Sequence, residues 1–147
     1  MYRAIERILL SEDQIRARIQ ELGQQLTADY REKNPIFVGI LKGVVVFFAD
    51  MIRAIPIDCQ IDFMAVSSYG GGTESSGKIQ VKKDLSADIE DRHVVILEDI
   101  LDTGLTLRHT VDYLMTKHPA SLKICTLLDL SLIHISEPTR RVVISYA

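Results

Sequence analysis

The sequence predicts an α/β domain in which a largely parallel central sheet is flanked by helices. Short aliphatic runs of strand length alternate along the chain with longer stretches whose apolar residues recur at helical spacing. Strands that alternate with helices in this way form parallel sheets, because each helix carries the chain back to the same edge. The chain has 147 residues, of which 47% are hydrophobic and 25% charged, and this suits one globular domain with a buried core.

The elements are expected in the order α-β-α-β-loop-β-β-α-β. The first helix is predicted over residues 11–33, where Ser11 and Gln14 match a capping box and Asn34-Pro35 ends the helical pattern. The elements predicted after it are a buried strand at 35–41, a helix at 43–55, a strand at 60–67, a polar glycine-rich loop at 70–77, an exposed strand at 78–84, a buried strand at 94–97, a helix at 107–118 and a strand at 122–128.

Composition and charge exclude several classes of function. No apolar run reaches the length of a membrane span, and the charged N-terminus lacks the apolar core of a signal peptide. The net charge of −3 gives no footprint for nucleic acid. Cys59 and Cys125 lie in apolar runs without a CxxC partner, so we expect both to be reduced, buried and structural, which suits a cytoplasmic location.

The stretch at 93–107, HVVILEDILDTGLTL, organises the rest of the chain. A buried strand leads into three acids, then into a turn of small residues at the start of a helix. The residues concerned are the acids Glu98, Asp99 and Asp102 and the turn residues Thr103, Gly104 and Thr106. Such a turn directs backbone N–H groups at an anion, whereas the carboxylates suit sugar hydroxyls, Mg²⁺ or a proton. The simpler alternative, acids that merely face solvent, is disfavoured because ligands of open α/β sheets bind at the carboxyl ends of the strands.

This stretch resembles the phosphoribosyl pyrophosphate (PRPP) motif of the type I phosphoribosyltransferases. The form LEDILDTG is most similar to the hypoxanthine(-guanine) phosphoribosyltransferases. The resemblance implies a type I phosphoribosyltransferase fold with a flexible lid loop. It also implies that Glu98 and Asp99 contact the ribose hydroxyls and bind Mg²⁺, and that Asp102 lies near N7 of the purine as a general base. Ile100 would contact the purine ring.

The same resemblance assigns the turn to the 5′-phosphate. Residues 102–106 would hold it through backbone amides and through the hydroxyls of Thr103 and Thr106, with Gly104 between them. Leu105 stands where some family members carry Lys. Because the loop binds largely through its main chain, we expect this departure to be tolerated.

Two further segments match the family. The residues Leu41, Lys42 and Gly43 match its pyrophosphate loop, in which the Leu–Lys peptide is often cis, although the same letters also describe an ordinary strand-to-helix turn. Ser68 and Tyr69, followed by the glycine-rich loop at 70–77, match a lid that covers the pyrophosphate and excludes water. The alternative is a surface loop without function.

The resemblance covers about residues 1–129. Family members next show a Lys, in a segment like DKPSRR, that recognises the purine 6-oxo group, whereas here Asp129 is followed by Leu130 and no Lys occurs after Lys123. The segment at 131–147 resembles translated adapter read-through, although its PTRRVV echoes the family's PSRRVV. We therefore expect a phosphoribosyltransferase domain at 1–130 that is incomplete at its C-terminus, and an atypical tail at 131–147.

The function implied is purine salvage: hypoxanthine or guanine and PRPP give IMP or GMP and pyrophosphate. The expected partners are these small molecules, and we expect binding to neither nucleic acid nor a membrane. The resemblance also implies a homo-oligomer, because family members with the complete domain commonly form dimers or tetramers. Two alternatives remain at this point. One is a phosphoribosyltransferase-fold regulator that senses PRPP or a nucleotide and binds nucleic acid, which the acidic net charge disfavours. The other is an inactive fragment that still binds PRPP.

Overall fold

The computed structural model describes residues 7–68 and 78–130, and the backbone of residues 143–146. Helices and strands alternate as predicted, which confirms the α/β class. The elements are α1 (Glu12–Tyr30), β1 (Ile36–Leu41), α2 (Val45–Arg53), β2 (Gln60–Ser68), β3 (Ile79–Lys83), β4 (His93–Leu101), α3 (Leu105–Met115), β5 (Ser121–Asp129) and β6 (Val143–Tyr146). The strand β6 lies in the segment set apart above as an atypical tail. None of the helices in the described ranges is long and apolar enough to cross a membrane.

The described strands form one sheet in the order β3-β2-β1-β4-β5-β6. Strand β1 runs parallel to both β2 and β4, and β4 runs parallel to β5. The outer strands β3 and β6 are antiparallel to their neighbours. The carboxyl ends of the four parallel strands therefore meet at one edge of the sheet, where ligands of such sheets bind.

Two apolar cores cover the two faces of the sheet. On one face, α1 and α2 pack against inward residues of the sheet such as Phe37, Val95 and Leu97. On the other face, α3 packs against the alternate residues, among them Val38 and Ile96. Both faces are thus buried, which is why the central strands read as continuous aliphatic runs rather than as alternating patterns.

Local sequence fixes the first helix and its contact with the second. The capping box is present: the Gln14 N–H donates to Ser11 Oγ at 3.1 Å, and the Ser11 N–H donates to Gln14 Oε1 at 2.8 Å. At Gly23 the backbone of α1 lies so close to Ala54 that an added Cβ would meet the Ala54 carbonyl oxygen at 2.5 Å. Only glycine permits this approach, so Gly23 sets the spacing between α1 and the end of α2.

The structure corrects the expected bounds around the acids. Strand β4 continues to Leu101 instead of ending at residue 97, because its pairing with β5 persists as far as Leu101 opposite Asp129. Helix α3 begins at Leu105, two residues before the predicted start, because the Arg108 N–H already donates to the Gly104 carbonyl at 2.8 Å. The turn between strand and helix is correspondingly tighter than the sequence suggested.

The two cysteines differ. Cys125, in β5, is buried as expected. Cys59 is only half-buried, because it lies just before β2 and not within a central strand, so the expectation of a buried side chain is wrong there.

Candidate active site

The acid pair lies near the end of β4, where the chain emerges from the core. Val94, Val95, Ile96 and Leu97 are fully buried, whereas Glu98 and Asp99 are half-buried. Burial raises the pKa of Glu98 to about 8, and its hydrogen bond to Asp99 and the charge of that neighbour act in the same direction. A pKa raised this far favours the protonated form of Glu98 at neutral pH, in which the carboxyl group donates its hydrogen bond to Asp99. A cation bound at the two carboxyl groups could take the place of that proton, and a ligand hydroxyl could take the place of the hydrogen bond between them.

The turn after β4 provides backbone N–H groups. Gly104 adopts a left-handed conformation, with φ of 77°, and is the N-cap residue of α3. It has no side chain with which to cap the helix, and Thr103 Oγ1 accepts only a long hydrogen bond, 3.4 Å, from the Leu105 N–H. The first turn of α3 thus presents donors at the positive end of the helix dipole, which favours an anion.

Glu98 and the turn share one cleft of about 270 Å³ at the carboxyl edge of the sheet, whereas Asp99 does not line it. The predicted site residues that line it are Glu98, Ile100, Asp102, Thr103, Gly104, Leu105 and Thr106. Ile100 is 47% exposed and Leu105 is 40% exposed, although both are large and apolar. The cleft therefore combines a carboxyl group, apolar contact surface and a helix N-terminus within the span of one small ligand.

The predicted pyrophosphate loop lies beside the acid pair, and its three residues do not line the cleft. The peptide between Leu41 and Lys42 is cis, as the resemblance implied. Both Lys42 and Gly43 are exposed, and a Cβ added to Gly43 would lie 3.7 Å from Asp99 Oδ2. The structure therefore brings this loop to the Asp99 side of the acid pair.

Only part of the predicted lid can be placed. Ser68 is the last residue of β2, is exposed, and pairs with Ile79 of β3. Tyr69 and the loop at 70–77 lie outside the described residues, so their covering role stays a prediction.

Sequence reasoning missed several residues of the cleft. These are Ile40, Val66, Leu101, Leu107 and Thr110. Ile40 and Val66 lie near the ends of β1 and β2, so their position in predicted strands was the available signal. Thr110 is fully buried and its hydroxyl donates to the Thr106 carbonyl at 2.9 Å. The four-residue spacing from Thr106, which places both on one side of α3, could have identified it.

The oxygen atoms of Glu98 and Asp99 are suitable ligands for a hard divalent cation. Among the described residues, no group of three or more His, Cys, Asp or Glu side chains could hold a metal. Magnesium in phosphate-handling sites is bound by one or two carboxylates together with substrate phosphates, so two carboxyl groups fit that ion and a closed protein cage is not needed.

Acids and a helix N-terminus at the carboxyl edge of a parallel sheet are typical of α/β proteins that bind phosphorylated ligands. The sequence model of one protein family, described as phosphoribosyl transferase domain, matches residues 4–137. The chain belongs to this family, and the resemblance found in the sequence is confirmed.

Within the family, the similar proteins described next have names that specify a purine as the substrate or product. The chain is 50% identical over 125 residues to a hypoxanthine-guanine phosphoribosyltransferase of Streptococcus pneumoniae, with 85% of this chain and 69% of that protein covered. A crystal structure of a hypoxanthine phosphoribosyltransferase from Staphylococcus aureus shares 48% identity with a TM-score of 0.84, covering 88% of this chain and 70% of that one. The enzyme from Trypanosoma cruzi in complex with the product IMP shares 37% identity, with a TM-score of 0.80 over 88% of this chain and 73% of that one.

A much longer relative is similar to this chain over one part of its length. A bifunctional protein TilS/HprT of Listeria innocua is 46% identical over 129 residues, which are 88% of this chain but 20% of that protein. The chain thus spans about a fifth of this bifunctional relative, and it covers 69% and 70% of the two single-function proteins above.

Proposed function

We propose that this chain transfers the phosphoribosyl group of PRPP to hypoxanthine or guanine, giving IMP or GMP and pyrophosphate. The observation that carries the proposal is the cleft in which Glu98, Ile100 and the turn at the start of α3 meet. A carboxyl group for a ribose, an apolar surface for a purine and an anion site for a phosphate match the three parts of a purine nucleotide. The names of the similar proteins support the same reaction.

The 5′-phosphate is held at the N-terminus of α3. Backbone N–H groups after Gly104 and the hydroxyls of Thr103 and Thr106 donate to its oxygens. Since these donors are fixed by the fold, they orient the ribose without the entropy cost of ordering long side chains. Leu105, also in this turn, contributes its main chain here, because its side chain carries no charge.

The ribose hydroxyls contact Glu98 and Asp99. The ribose hydroxyls donate to the carboxyl oxygens, and a cation bound at the pair would favour the ionised form of Glu98, whose proton would pass to solvent. Mg²⁺, held by these acids together with the substrate, supplies charge neutralisation at the pyrophosphate leaving group.

The purine lies against Ile100 with Asp102 beside N7. A bond forms between purine N9 and C1′ of the ribose while the bond from C1′ to the pyrophosphate oxygen breaks. Asp102, which is exposed and lines the cleft, takes the N7 proton as a general base. The transition state carries positive charge on the ribose, so positioning and electrostatics supply most of the rate.

Pyrophosphate leaves on the Asp99 side of the site. The backbone N–H groups around Leu41, Lys42 and Gly43 donate to it, and the Lys42 ammonium adds positive charge. The Ser68-Tyr69 pair covers the pyrophosphate and excludes water. We further propose a cytoplasmic enzyme that forms homo-oligomers, as dimers or tetramers, and binds neither nucleic acid nor a membrane.

Calorimetric titration of PRPP with Mg²⁺ into the purified chain, beside an assay of IMP formation from hypoxanthine, tests the proposal. We expect binding that Asp99→Asn weakens, and turnover that Asp102→Asn abolishes without loss of PRPP binding. Binding without turnover would identify an inactive PRPP-binding fragment. No binding by a folded chain would refute the assignment of the cleft.

A further inference from the structure

A polar contact joins the end of β3 to the C-terminal end of α3, away from the residues that line the cleft. Asp84 follows directly after β3, and its Oδ2 accepts hydrogen bonds from the Tyr113 hydroxyl at 2.5 Å and from Lys117 Nζ at 3.0 Å. Tyr113 lies in the last turn of α3, and Lys117 lies just beyond its C-terminal end. Among the described residues, the end of β3 is thus bonded to the helix whose first turn forms the proposed phosphate site.

The same end of β3 is also fixed to β2. Lys83 Nζ donates to the Phe63 carbonyl of β2 at 2.7 Å, and Leu85 N–H donates to Asp84 Oδ1 at 2.8 Å. The pairing of β2 with β3 shifts register between Ala65 and Val66, immediately next to this bond. Such irregularities re-aim the side chains that follow them, and Val66 is the residue of β2 that lines the cleft.

The sheet fixes the spacing of β2 and β4, because β1 pairs with both, but it does not fix the orientation of α3. Val66 belongs to β2, whereas the turn at 103–106 follows β4, and β1 separates these strands in the sheet. Helix α3 packs on the sheet through the buried apolar side chains of Leu107, Val111 and Leu114, and apolar contacts are non-directional. The bonds of Asp84 hold the C-terminal end of α3 against the β2–β3 pair.

We propose that Asp84 is a positioning residue for the phosphoribosyl site, which sets the distance between Val66 and the first turn of α3 by tying Tyr113 and Lys117 to the end of β3. The inference rests on the function proposed above. The two hydrogen bonds bring the carboxylate, the phenol and the ammonium together, and the charges of Asp84 and Lys117 favour the arrangement. The pKa of the Asp84 carboxyl is lowered by these partners, despite the opposing effect of desolvation, so Asp84 is ionised when it makes these bonds.

The test compares Asp84→Asn and Tyr113→Phe with Asp112→Asn in the full chain. Asp112 lies on α3 next to Tyr113 and is exposed, so Asp112→Asn removes the same charge from the helix that Asp84 holds but makes none of these hydrogen bonds weaker. For each variant, the Kd of PRPP with Mg²⁺ and the thermal midpoint are measured, and hydrogen exchange is followed at the amides of residues 103–107.

We expect Asp84→Asn and Tyr113→Phe to raise the Kd about three- to tenfold, which lies within the range found when residues without ligand contact alter binding. Amide exchange at 103–107 should quicken, and Asp112→Asn should match the unaltered chain in both measurements. A merely structural role would lower the thermal midpoint but leave the Kd and the exchange at 103–107 unchanged, and this result would overturn the inference.

Two outcomes separate this inference from the proposed function. If the unaltered chain binds PRPP and neither Asp84→Asn nor Tyr113→Phe changes the Kd, the positioning role of Asp84 is wrong and the proposed function stands. If the unaltered folded chain does not bind PRPP, the proposed function fails, and the inference falls with it. Should Asp84→Asn fail to fold, Tyr113→Phe decides, because it removes only one hydroxyl from a half-buried side chain.

Discussion

Gly43 and Asp99 lie against each other, so that a Cβ placed on Gly43 would meet Asp99 Oδ2 at 3.7 Å. The two residues are far apart in sequence and come together because β1 and β4 are parallel neighbours whose carboxyl ends meet. An exposed backbone and a carboxylate this close together put the donors of the proposed pyrophosphate loop directly beside the acid pair. The contact joins two motifs that the sequence could only treat separately.

The two glycines at the site should respond differently to alanine. Gly43 has no positive φ and its added Cβ would make an ordinary contact, so Gly43→Ala should change the free energy of unfolding by less than about 0.5 kcal/mol. Gly104→Ala should cost about 1–2 kcal/mol, because φ of 77° forces a Cβ into the left-handed region and against Leu101 Cδ1 at 3.3 Å. Urea denaturation of the unaltered chain and of both variants measures these changes in the free energy of unfolding. Equal losses would show that the turn before α3 relaxes freely.

The acid pair should make stability depend on pH. The pKa of Glu98 is raised from an ordinary value of 4.5 to about 8 in the folded chain, so the folded state binds more protons than the unfolded state between these values. The contribution of Glu98 is therefore fully present below pH 4.5 and is lost as pH rises toward 8. Glu98→Gln, which mimics the protonated side chain, should not lose this contribution.

Denaturation of the unaltered chain and Glu98→Gln at pH 5, 7 and 9 measures the effect. The stability of Glu98→Gln relative to the unaltered chain should rise with pH and level off above about pH 8. A constant difference across this range would contradict the raised pKa of Glu98.

The sequence predicted the strands and helices well wherever apolar periodicity was strong. It predicted the acids and the turn because LEDILDTG concentrates them in eight residues. It could not predict that β4 extends to Leu101, since that depends on hydrogen bonds to β5. It could not find Val66 or Thr110, because a valine in a strand and a threonine in a helix carry no chemical signature until the fold turns them toward the cleft.

The thiols of Cys59 and Cys125 should differ in their rates of alkylation. Burial in β5 raises the pKa of Cys125 to about 12, whereas Cys59 is half-buried and its pKa is raised by burial and by the charge of Asp58. Alkylation requires the thiolate and access to it. Iodoacetamide at pH 8 should therefore modify Cys59 in the native chain and Cys125 only after unfolding, as mass spectrometry would show. Fast modification of Cys59→Ser would contradict the burial of Cys125.

Ile100 should contribute to nucleotide binding and little to stability. Its side chain is 47% exposed in the free chain and lines the cleft, so it has apolar surface to bury only when a purine arrives. Ile100→Ala removes most of that surface, which is worth about 1–2 kcal/mol, and should raise the Kd of IMP about tenfold. The matched control is Ile61→Ala, because Ile61 lies in β2 with 50% exposure and does not line the cleft. Calorimetric titration of IMP into both variants gives the comparison, with thermal melts to verify folding. An equal effect on IMP binding from both substitutions would mean that Ile100 acts through the strand rather than through contact with the base.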